Sequence, residues 1–560
     1  MRTLNKTSRL LIALTLLASL IVGLSAVSAQ EPKILRVGMG AAGTTVVFDP
    51  SLATDTTSHT FINMLYPGLA PRDETTGTPQ HGMAEEWTIS DDLMTYTFKI
   101  KEGVPWVVYD PATDSVVEVT DEAGNVRYVN AHDFVYSVKR TIAPETAADY
   151  AYVIANWVAG GNEYNAGTGS ADDVGIRAID DYTLEIVSPN PAGFLLQIYG
   201  EWLANAQPQW AIEEFGDAWT LPGNYPAYGT FVLKTYEPGS RVEIVKNPFW
   251  PGTESHPIPA LDEIHAVFLD LSAALAAYEA GELDTIEDIP LPDLPRLRVE
   301  RPDEVHIGPG SCTYYYGFNV EKEPVDNVHM RRALSAAIDR QTIVDAILGA
   351  GQQPAGFFTR PNYAASPTQE EFPDLGARSD PELAKQELAL YFEETGYTLE
   401  TMPPLTLMFN TSESHQLIAQ AVQQMWVETL GIEAQVTNQE WQTYLETLEN
   451  DAPPVWRLGW CEDYQDPHNF LGDVMYSTSG NNDTNWSNDE FDSLVDQAKV
   501  MTDFEARKEL YARAEHILTW EDAAMAPIYY YTNLSMIGTH LKASPSILGT
   551  ERYDKWDIIG

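Results

Sequence analysis

Residues 405–437 read LTLMFNTSESHQLIAQAVQQMWVETLGIEAQVT and predict a strand, a helix and a second strand in succession. The strands are expected at Leu405–Phe409 and Ile432–Thr437, with the helix at Ser414–Leu430 between them. Gly431 stands where the end of a helix favours a left-handed residue. The predicted inward face of the helix comprises Leu417, Ile418, Ala421, Met425 and Trp426. Such a unit predicts a parallel α/β sheet with a right-handed crossover.

A second helix is predicted upstream of this unit, with Asp326 as its N-cap. Its apolar positions follow helical spacing and are Met330, Leu334, Ala337, Ile338 and Ile347. A second capping pattern, Ser487-x-x-Glu490, predicts a helix over Phe491–Met501.

The N-terminal half of the chain predicts mainly strands. Clear examples are Lys33–Gly38, Tyr96–Lys101, Thr183–Val187 and Arg241–Lys246. Gly229–Tyr236 and Arg241–Lys246 are expected to form a hairpin, because Pro238 and Gly239 lie at turn positions between them. Two architectures in one chain predict two lobes, with a ligand site between them.

The length of the chain indicates how many domains it has, and its charge excludes some classes of partner. The chain has 560 residues, of which 44% are hydrophobic, so we expect more than one domain with a folded core. Its 33 Lys and Arg stand against 82 Asp and Glu, which gives a formal net charge of −49. Because this charge repels nucleic acid phosphates and anionic lipid headgroups, neither is expected as a partner.

The N-terminus has the pattern of a secretion signal. Arg2, Lys6 and Arg9 precede the apolar run Leu10–Leu24, and Val27-Ser28-Ala29 offers a cleavage site before Gln30. The alternative is a retained membrane anchor, although the run is short for a bilayer core of ~30 Å. Because no Cys follows the run, we expect an exported periplasmic or extracellular protein without a lipid anchor.

No catalytic, cofactor or metal signature emerges from the motifs. Gly38-x-Gly40-x-x-Gly43 follows a strand, but a β-rich segment succeeds it where a nucleotide site needs a helix. Asn481–Asp492 alternates Asn and Asp, yet Trp486 occupies the position where a calcium loop requires Gly. Neither a hydrolase nucleophile motif nor a zinc motif occurs. We therefore predict no cofactor, no metal and no enzymatic activity.

The sequence contains two cysteines, Cys312 and Cys461. In an oxidising compartment two such residues are expected to pair, and the alternative is two buried free thiols. The second cysteine follows an apolar strand that ends in Gly459-Trp460 and precedes Asp463. An aspartate beside a tryptophan on the rim of a cleft suits a ligand cation, whereas the other interpretation is a solvated acid beside a core tryptophan.

Several segments resemble the family 5 extracellular solute-binding proteins of ABC importers, and most closely their oligopeptide-binding branch. The segments are 83–87 with 93–103, 130–140, 228–231 with 247–250, 326–340, 312–316 and 459–464. This resemblance implies an α/β fold of the two-lobed periplasmic-binding-protein type (class II), with an extra subdomain in the N-terminal lobe. It implies a signal peptide at 1–29, lobe I at 30–69, 190–308 and 520–560, the subdomain at 70–189, and lobe II at 309–519.

The resemblance also implies the ligand site. It pairs Cys312 with Cys461, assigns the peptide α-ammonium to Asp463, and places the strand after Cys312 alongside the peptide backbone. Arg457 matches a position that meets the C-terminal carboxylate of a short peptide. The remaining expected ligand-binding residues are Gly459, Trp460, Tyr464, Cys312, Tyr314 and Tyr316. Related binders often carry an acid after the tyrosine run, where this chain has Gly317.

The expected function is therefore capture of oligopeptides between two lobes and delivery to an ABC permease. We expect a monomer that meets the membrane only through that permease. One alternative is a binder of the same fold for an oligosaccharide or a nickel chelate. A secreted hydrolase is the other alternative, which the missing catalytic motifs disfavour.

Overall fold

The structure is a computed structural model that describes residues 31–40, 45–501 and 503–559. The predicted signal segment and Gly43 of the glycine motif lie outside these residues. The strands, in chain order, are β1 Ile34–Met39, β2 Ala84–Ile89, β3 Thr95–Ile100, β4 Val107–Asp110, β5 Ser115–Glu118, β6 Ile176–Asp180, β7 Thr183–Val187, β8 Phe231–Glu237, β9 Arg241–Lys246, β10 Glu263–Phe268, β11 Thr285–Ile286, β12 Val305–Phe318, β13 Gln353–Pro354, β14 Leu405–Asn410, β15 Ala434–Gln439, β16 Val455–Cys461, β17 Met525–Ile537, β18 Leu541–Lys542 and β19 Asp557–Ile558.

The helices are distributed along the whole described chain. They are α1 Thr56–Leu65, α2 Ala131–Thr141, α3 Ala151–Ala155, α4 Gly161–Asn165, α5 Leu195–Ile198, α6 Gln209–Phe215, α7 Leu271–Glu279, α8 Leu294–Glu300, α9 Val328–Ala336, α10 Arg340–Thr342, α11 Pro381–Thr395, α12 Glu413–Leu430, α13 Trp441–Asp451, α14 Pro467–Leu471, α15 Asp489–Lys499 and α16 Phe504–His516. Wider π-type turns occupy Ile343–Leu348 and Ile517–Glu521. Among the described residues, no helix combines the length and the apolarity needed to cross a membrane.

Eleven strands of the described chain form one sheet with two halves. One half is β8-β9-β10-β1-β11 and the other is β15-β14-β16, while β12 and β17 lie between them and β13 joins β17 at the side. Strand β12 pairs with the end of β17 through Val305–Pro309 and with its beginning through Thr313–Gly317. The register shifts between these two segments. The long strands β12 and β17 therefore connect the two halves of the molecule.

A second sheet, of order β2-β3-β7-β6, lies entirely within the predicted subdomain at 70–189. Its buried face carries Tyr96, Phe98, Leu184 and Ile186, and helix α2 packs against it. The division into lobes at 309 and 520 stays a prediction.

The strand–helix–strand unit predicted for residues 405–437 is present as β14, α12 and β15, and its two strands pair in parallel. Gly431 ends the helix with a φ of 74°. One predicted inward residue is wrong, because Leu417 is 37% exposed. The buried face instead uses Ile418, Ala419, Val422, Trp426 and Leu430. The predicted hairpin is also confirmed, since β8 and β9 pair antiparallel.

Two predicted caps are displaced by one residue. Asn327 rather than Asp326 caps α9, and Asn488 rather than Ser487 caps α15. The asparagine side chains accept hydrogen bonds from the free amides of the first turn, which serine or aspartate would satisfy equally well. Helix α9 also ends at Ala336, so the predicted continuation to Ile347 is wrong. Asp339 starts a new short helix there by accepting a hydrogen bond from the amide of Thr342.

Candidate functional site

The two cysteines face each other across a strand pair. Strands β12 and β16 are antiparallel, and Cys312 lies directly opposite Cys461 in their register. The two residues form a disulfide, as the prediction required. The disulfide fixes β16 to β12 at the end of β16, immediately before the acidic turn that contains Asp463.

The free edge of the site is on β16. Between Thr313 and Gly317, β12 is paired on both sides, with β16 and with β17. It therefore offers no edge to a peptide backbone there, contrary to the expectation for the strand after Cys312. Strand β16 pairs with β14 only through Val455 and Trp456 in the described chain, so the stretch from Arg457 to Cys461 has one open side.

Backbone groups on that open side can be identified from a hydroxyl contact. The amide and the carbonyl of Arg457 both bond to the hydroxyl of Tyr444, away from β12. In an antiparallel pair successive residues point their backbone groups to opposite sides. Gly459 and Cys461 therefore present their N–H and C=O groups to the same open side as Arg457.

Asp463 is a buried carboxylate at the end of this edge. It is 8% exposed and accepts a hydrogen bond of 2.9 Å from the Asn469 amide. No Lys or Arg within the described ranges forms an ion pair with it. Burial raises the pKa of Asp463 to about 6, against the opposing effects of the Asn469 hydrogen bond and the charge of Arg72. The site thus holds an anion that lacks a cation.

The aromatic neighbours of Asp463 come from two parts of the chain, strand β16 and the predicted subdomain. The indole of Trp460 donates to Asn469 at 3.0 Å, and its ring lies parallel to Tyr150, with 6.2 Å between centroids. Burial and the charge of Asp463 raise the pKa of Tyr150 well above its ordinary value. Tyr150 belongs to the predicted subdomain and was not among the predicted site residues. The residues around Tyr150 form no motif that distinguishes it from the other tyrosines.

Arg457 is the second buried charge of the edge. It is 5% exposed, and its guanidinium donates to Asn410 at 2.9 Å and to the hydroxyl of Tyr531. It lies 4.4 Å above the ring centroid of Tyr314. No carboxylate of the described chain pairs with it. Arg457 and Asp463 therefore form two uncompensated charges of opposite sign along one strand.

The remaining predicted residues are interior. Tyr314, Tyr316 and Tyr464 have no exposed surface. The ring of Tyr464 stacks on Phe194 at 4.8 Å, and its hydroxyl donates to Asp473. Their ligand contacts stay predictions, and in this arrangement they support the site from behind.

Arg72 compensates the other acids near Asp463. Its side chain contacts Glu201 and Glu462, each at 3.2 Å, and all three side chains are almost fully buried. These residues come from the predicted subdomain, lobe I and lobe II respectively. Burial raises the pKa of Glu201 to about 8 and that of Glu462 to about 7, against the lowering effect of Arg72. Sequence reasoning missed this ion pair because its members are hundreds of residues apart.

We expect Arg72→Gln to weaken ligand binding at least tenfold, because it leaves two buried carboxylates without a cation when the interface closes. Breaking a buried pair by removing one partner costs about 3–5 kcal/mol, and opening the interface relieves part of this cost. Calorimetric titration measures the loss. The double variant Arg72→Gln/Glu462→Gln should recover part of the affinity, and a double variant weaker than the single one would contradict this role.

The ring of Trp456 explains why position 317, after the tyrosine run, is a glycine and not an acid. It lies opposite Trp456 in the β12–β16 register, and a Cβ at position 317 would be 2.2 Å from the Trp456 ring. The indole therefore occupies the space that a side chain at 317 would need.

We expect Gly317→Ala to lower the free energy of unfolding by about 1–3 kcal/mol, the usual cost of overpacking a core. Urea denaturation measures it. Gly308→Ala in the same strand is the matched control, since a Cβ there meets nothing within 4 Å. Equal stability of the two variants would show that the Trp456 ring moves aside without cost.

The chain is similar to known solute-binding proteins over most of its length. Residues 78–482 match the bacterial extracellular solute-binding proteins, family 5. The periplasmic oligopeptide-binding protein OppA of Escherichia coli is 32% identical over 549 residues, which is 95% of each chain. A crystal structure of Haemophilus influenzae OppA in complex with RPPGFSPFR has a TM-score of 0.83 at 27% identity, with coverage of 95% of this chain and all of that one.

A further solved structure bears on whether the two lobes are arranged as in an open form or as in a peptide complex. The murein tripeptide binding protein MppA in its unliganded open form is 29% identical, yet its TM-score is 0.65, with 94% of this chain and 98% of that chain covered. The structure is therefore more similar to a peptide complex than to an open form of slightly higher identity. It is a two-lobed α/β fold of the class II binding-protein type in its closed arrangement. The chain belongs to family 5 of the bacterial extracellular solute-binding proteins, which are binding components of transporters and not enzymes.

Proposed function

We propose that this protein captures oligopeptides between its lobes and delivers them to an ABC permease. The observation that carries the proposal is Asp463, a buried carboxylate that no Lys or Arg of the described residues pairs with, at the end of an open strand edge. A peptide α-ammonium supplies the missing charge. OppA of Escherichia coli is named as an oligopeptide-binding protein, which supports the same ligand class.

The backbone of the peptide would add to the open side of β16. Gly459 and Cys461 offer N–H and C=O groups in the alternation that an added strand requires. Main-chain contacts of this kind do not depend on side chains, so the protein would accept many sequences. Trp460 and Tyr150 would enclose the first residue from two sides.

Arg457 would take the carboxylate of a short peptide. Six Cα-to-Cα steps lead from it to Asp463, which limits their Cα atoms to a separation of about 20 Å. Peptides of up to about five residues can therefore place both termini on these charges, whereas longer peptides can use one.

Closure follows from these contacts. The ligand bridges the lobes and favours the closed state by its differential affinity, while β12 and β17 connect the lobes as the hinge. We further propose that the protein is exported by residues 1–29, carries no lipid anchor, acts as a monomer and meets the membrane only through the permease.

We expect Asp463→Asn to weaken binding of a tripeptide at least tenfold, about 1.4 kcal/mol, because the amide cannot pair with the ammonium. Isothermal titration calorimetry with trialanine measures the change. Asp91→Asn is the matched control at an exposed acid. Unchanged affinity in the Asp463 variant would remove this residue from the site, and binding of a sugar or a nickel chelate in its place would replace the peptide proposal.

We expect tripeptide affinity to fall as the pH is lowered through about 6. The pKa of Asp463 is raised to about 6 by burial, so its carboxylate takes up a proton below that pH and loses its attraction for the ammonium. The limiting change is about tenfold per pH unit. Titrations from pH 7.5 to 4.5 test this against Asp463→Asn, in which the additional slope should vanish. Parallel curves for the two proteins would contradict it.

A further inference from the structure

A cavity of about 350 Å³ has part of its wall beside the contacts of Arg457. Its wall includes His415, Tyr529 and Tyr531. The hydroxyl of Tyr531 accepts from the Arg457 guanidinium, and the ring of His415 packs against Tyr314, which lies under the same guanidinium. The cavity therefore adjoins the position proposed for the peptide carboxylate.

Three carboxylates line this cavity, and no described Lys or Arg pairs with them. They are Glu287, Asp288 and Glu551. Glu287 accepts from the hydroxyl of Tyr553 at 2.6 Å, and Asp288 and Glu551 accept from backbone amides. The nearby Glu74, in contrast, is neutralised by Lys555. The wall of the cavity thus carries three carboxyl groups that no described cation neutralises.

One polar atom of the wall also lacks a partner among the described residues. Nδ1 of His415 is buried without a hydrogen-bond partner among the described residues. Tyr529 is 4% exposed, and its ring packs against Tyr531 in the same wall, with 5.0 Å between centroids. A cavity with unpaired carboxylates and an unpaired polar atom is arranged for a ligand group that donates several hydrogen bonds.

Burial also affects the protonation of these three acids. Burial raises the pKa values of Glu287 and Asp288 to about 7 and that of Glu551 to about 8; the charge of Asp288 adds to the rise for Glu287, and the charges of Glu287 and Glu74 add to it for Glu551. A metal ion is not the matching occupant, because no three His, Cys, Asp or Glu side chains of the described residues converge closely enough to hold one. An extended organic cation can reach carboxylates that stand apart.

We propose that this cavity is a subsite for a basic side chain, lysine or arginine, in the C-terminal part of the bound peptide. The proposal rests on the proposed function and adds a side-chain preference to it. Arg457 holds the terminal carboxylate, while Glu287, Asp288 and Glu551 receive the ammonium or guanidinium of a neighbouring residue. The volume is at the lower end of small-ligand pockets, roughly 300–1,000 Å³, and suits one long side chain with water.

The test compares tripeptides that differ by one charge. Ala-Ala-Lys and Ala-Lys-Ala are titrated against their norleucine counterparts, which keep the four-carbon chain without the ammonium. For the unmodified protein we expect at least one lysine peptide to bind at least tenfold more tightly than its norleucine counterpart. Lys-Ala-Ala, whose lysine is near Asp463 and away from the cavity, should show no such advantage over norleucine-Ala-Ala.

The variant Glu287→Gln/Asp288→Asn/Glu551→Gln removes the three charges and keeps the side-chain shapes. We expect it to reduce the lysine advantage below threefold and to leave norleucine-peptide affinity within twofold, which also shows that the variant folds. Asp91→Asn/Glu102→Gln/Glu400→Gln changes the net charge equally at exposed positions and should keep the advantage.

The outcomes separate the two proposals. Equal binding of lysine and norleucine peptides, or an advantage that survives in the cavity variant, would overturn the subsite and leave the peptide-binding function intact. No binding of any tripeptide by the protein would overturn the proposed function, and the subsite with it.

Discussion

The pairing of β12 with both β16 and β17 is the constraint on which the rest of the site depends. Strand β12 connects the two halves of the sheet, and the disulfide fixes its register against β16. With that register fixed, the same edge presents Arg457 at one end and the turn with Asp463 at the other. A shift of one residue would exchange the two faces of β16 and turn the backbone groups of Gly459 and Cys461 away from the open side.

Buried charge divides the closed interface into compensated and uncompensated regions. Arg72 sits between Glu201 and Glu462 and joins three parts of the chain, so the protein itself supplies a cation to these acids. Asp463, Arg457 and the acids of the cavity have no such partner among the described residues. A buried charge is costly unless it is paired, so the unpaired ones mark where ligand atoms belong. The unpaired charges along the interface therefore select charged groups of the ligand, whereas the backbone contacts do not depend on the sequence of the ligand.

Local patterns were enough to predict the parts of the fold that depend on neighbouring residues. The β14–α12–β15 unit and the β8–β9 hairpin follow from periodicity and turn residues, and the pairing of the cysteines followed from a family resemblance. Prediction was weaker where two candidates compete locally, as with Asp326 and Asn327 at one cap, or where Asp339 restarts a helix. It failed for Arg72 and Tyr150, whose partners lie far away in the sequence. No local sequence pattern indicates which distant side chains come into contact when the lobes close.

Gly317 and Trp456 are a pair in which one residue fills the volume the other vacates. Neither position is free to change alone, because any side chain at 317 meets the indole ring. Homologous sequences should therefore fall into two groups, one with glycine facing a large aromatic residue and one with an acid facing a small residue. In the second group a negative charge would replace the indole on the face of the sheet opposite the Arg457 side chain, so this single pair would separate relatives with different charge behind the site.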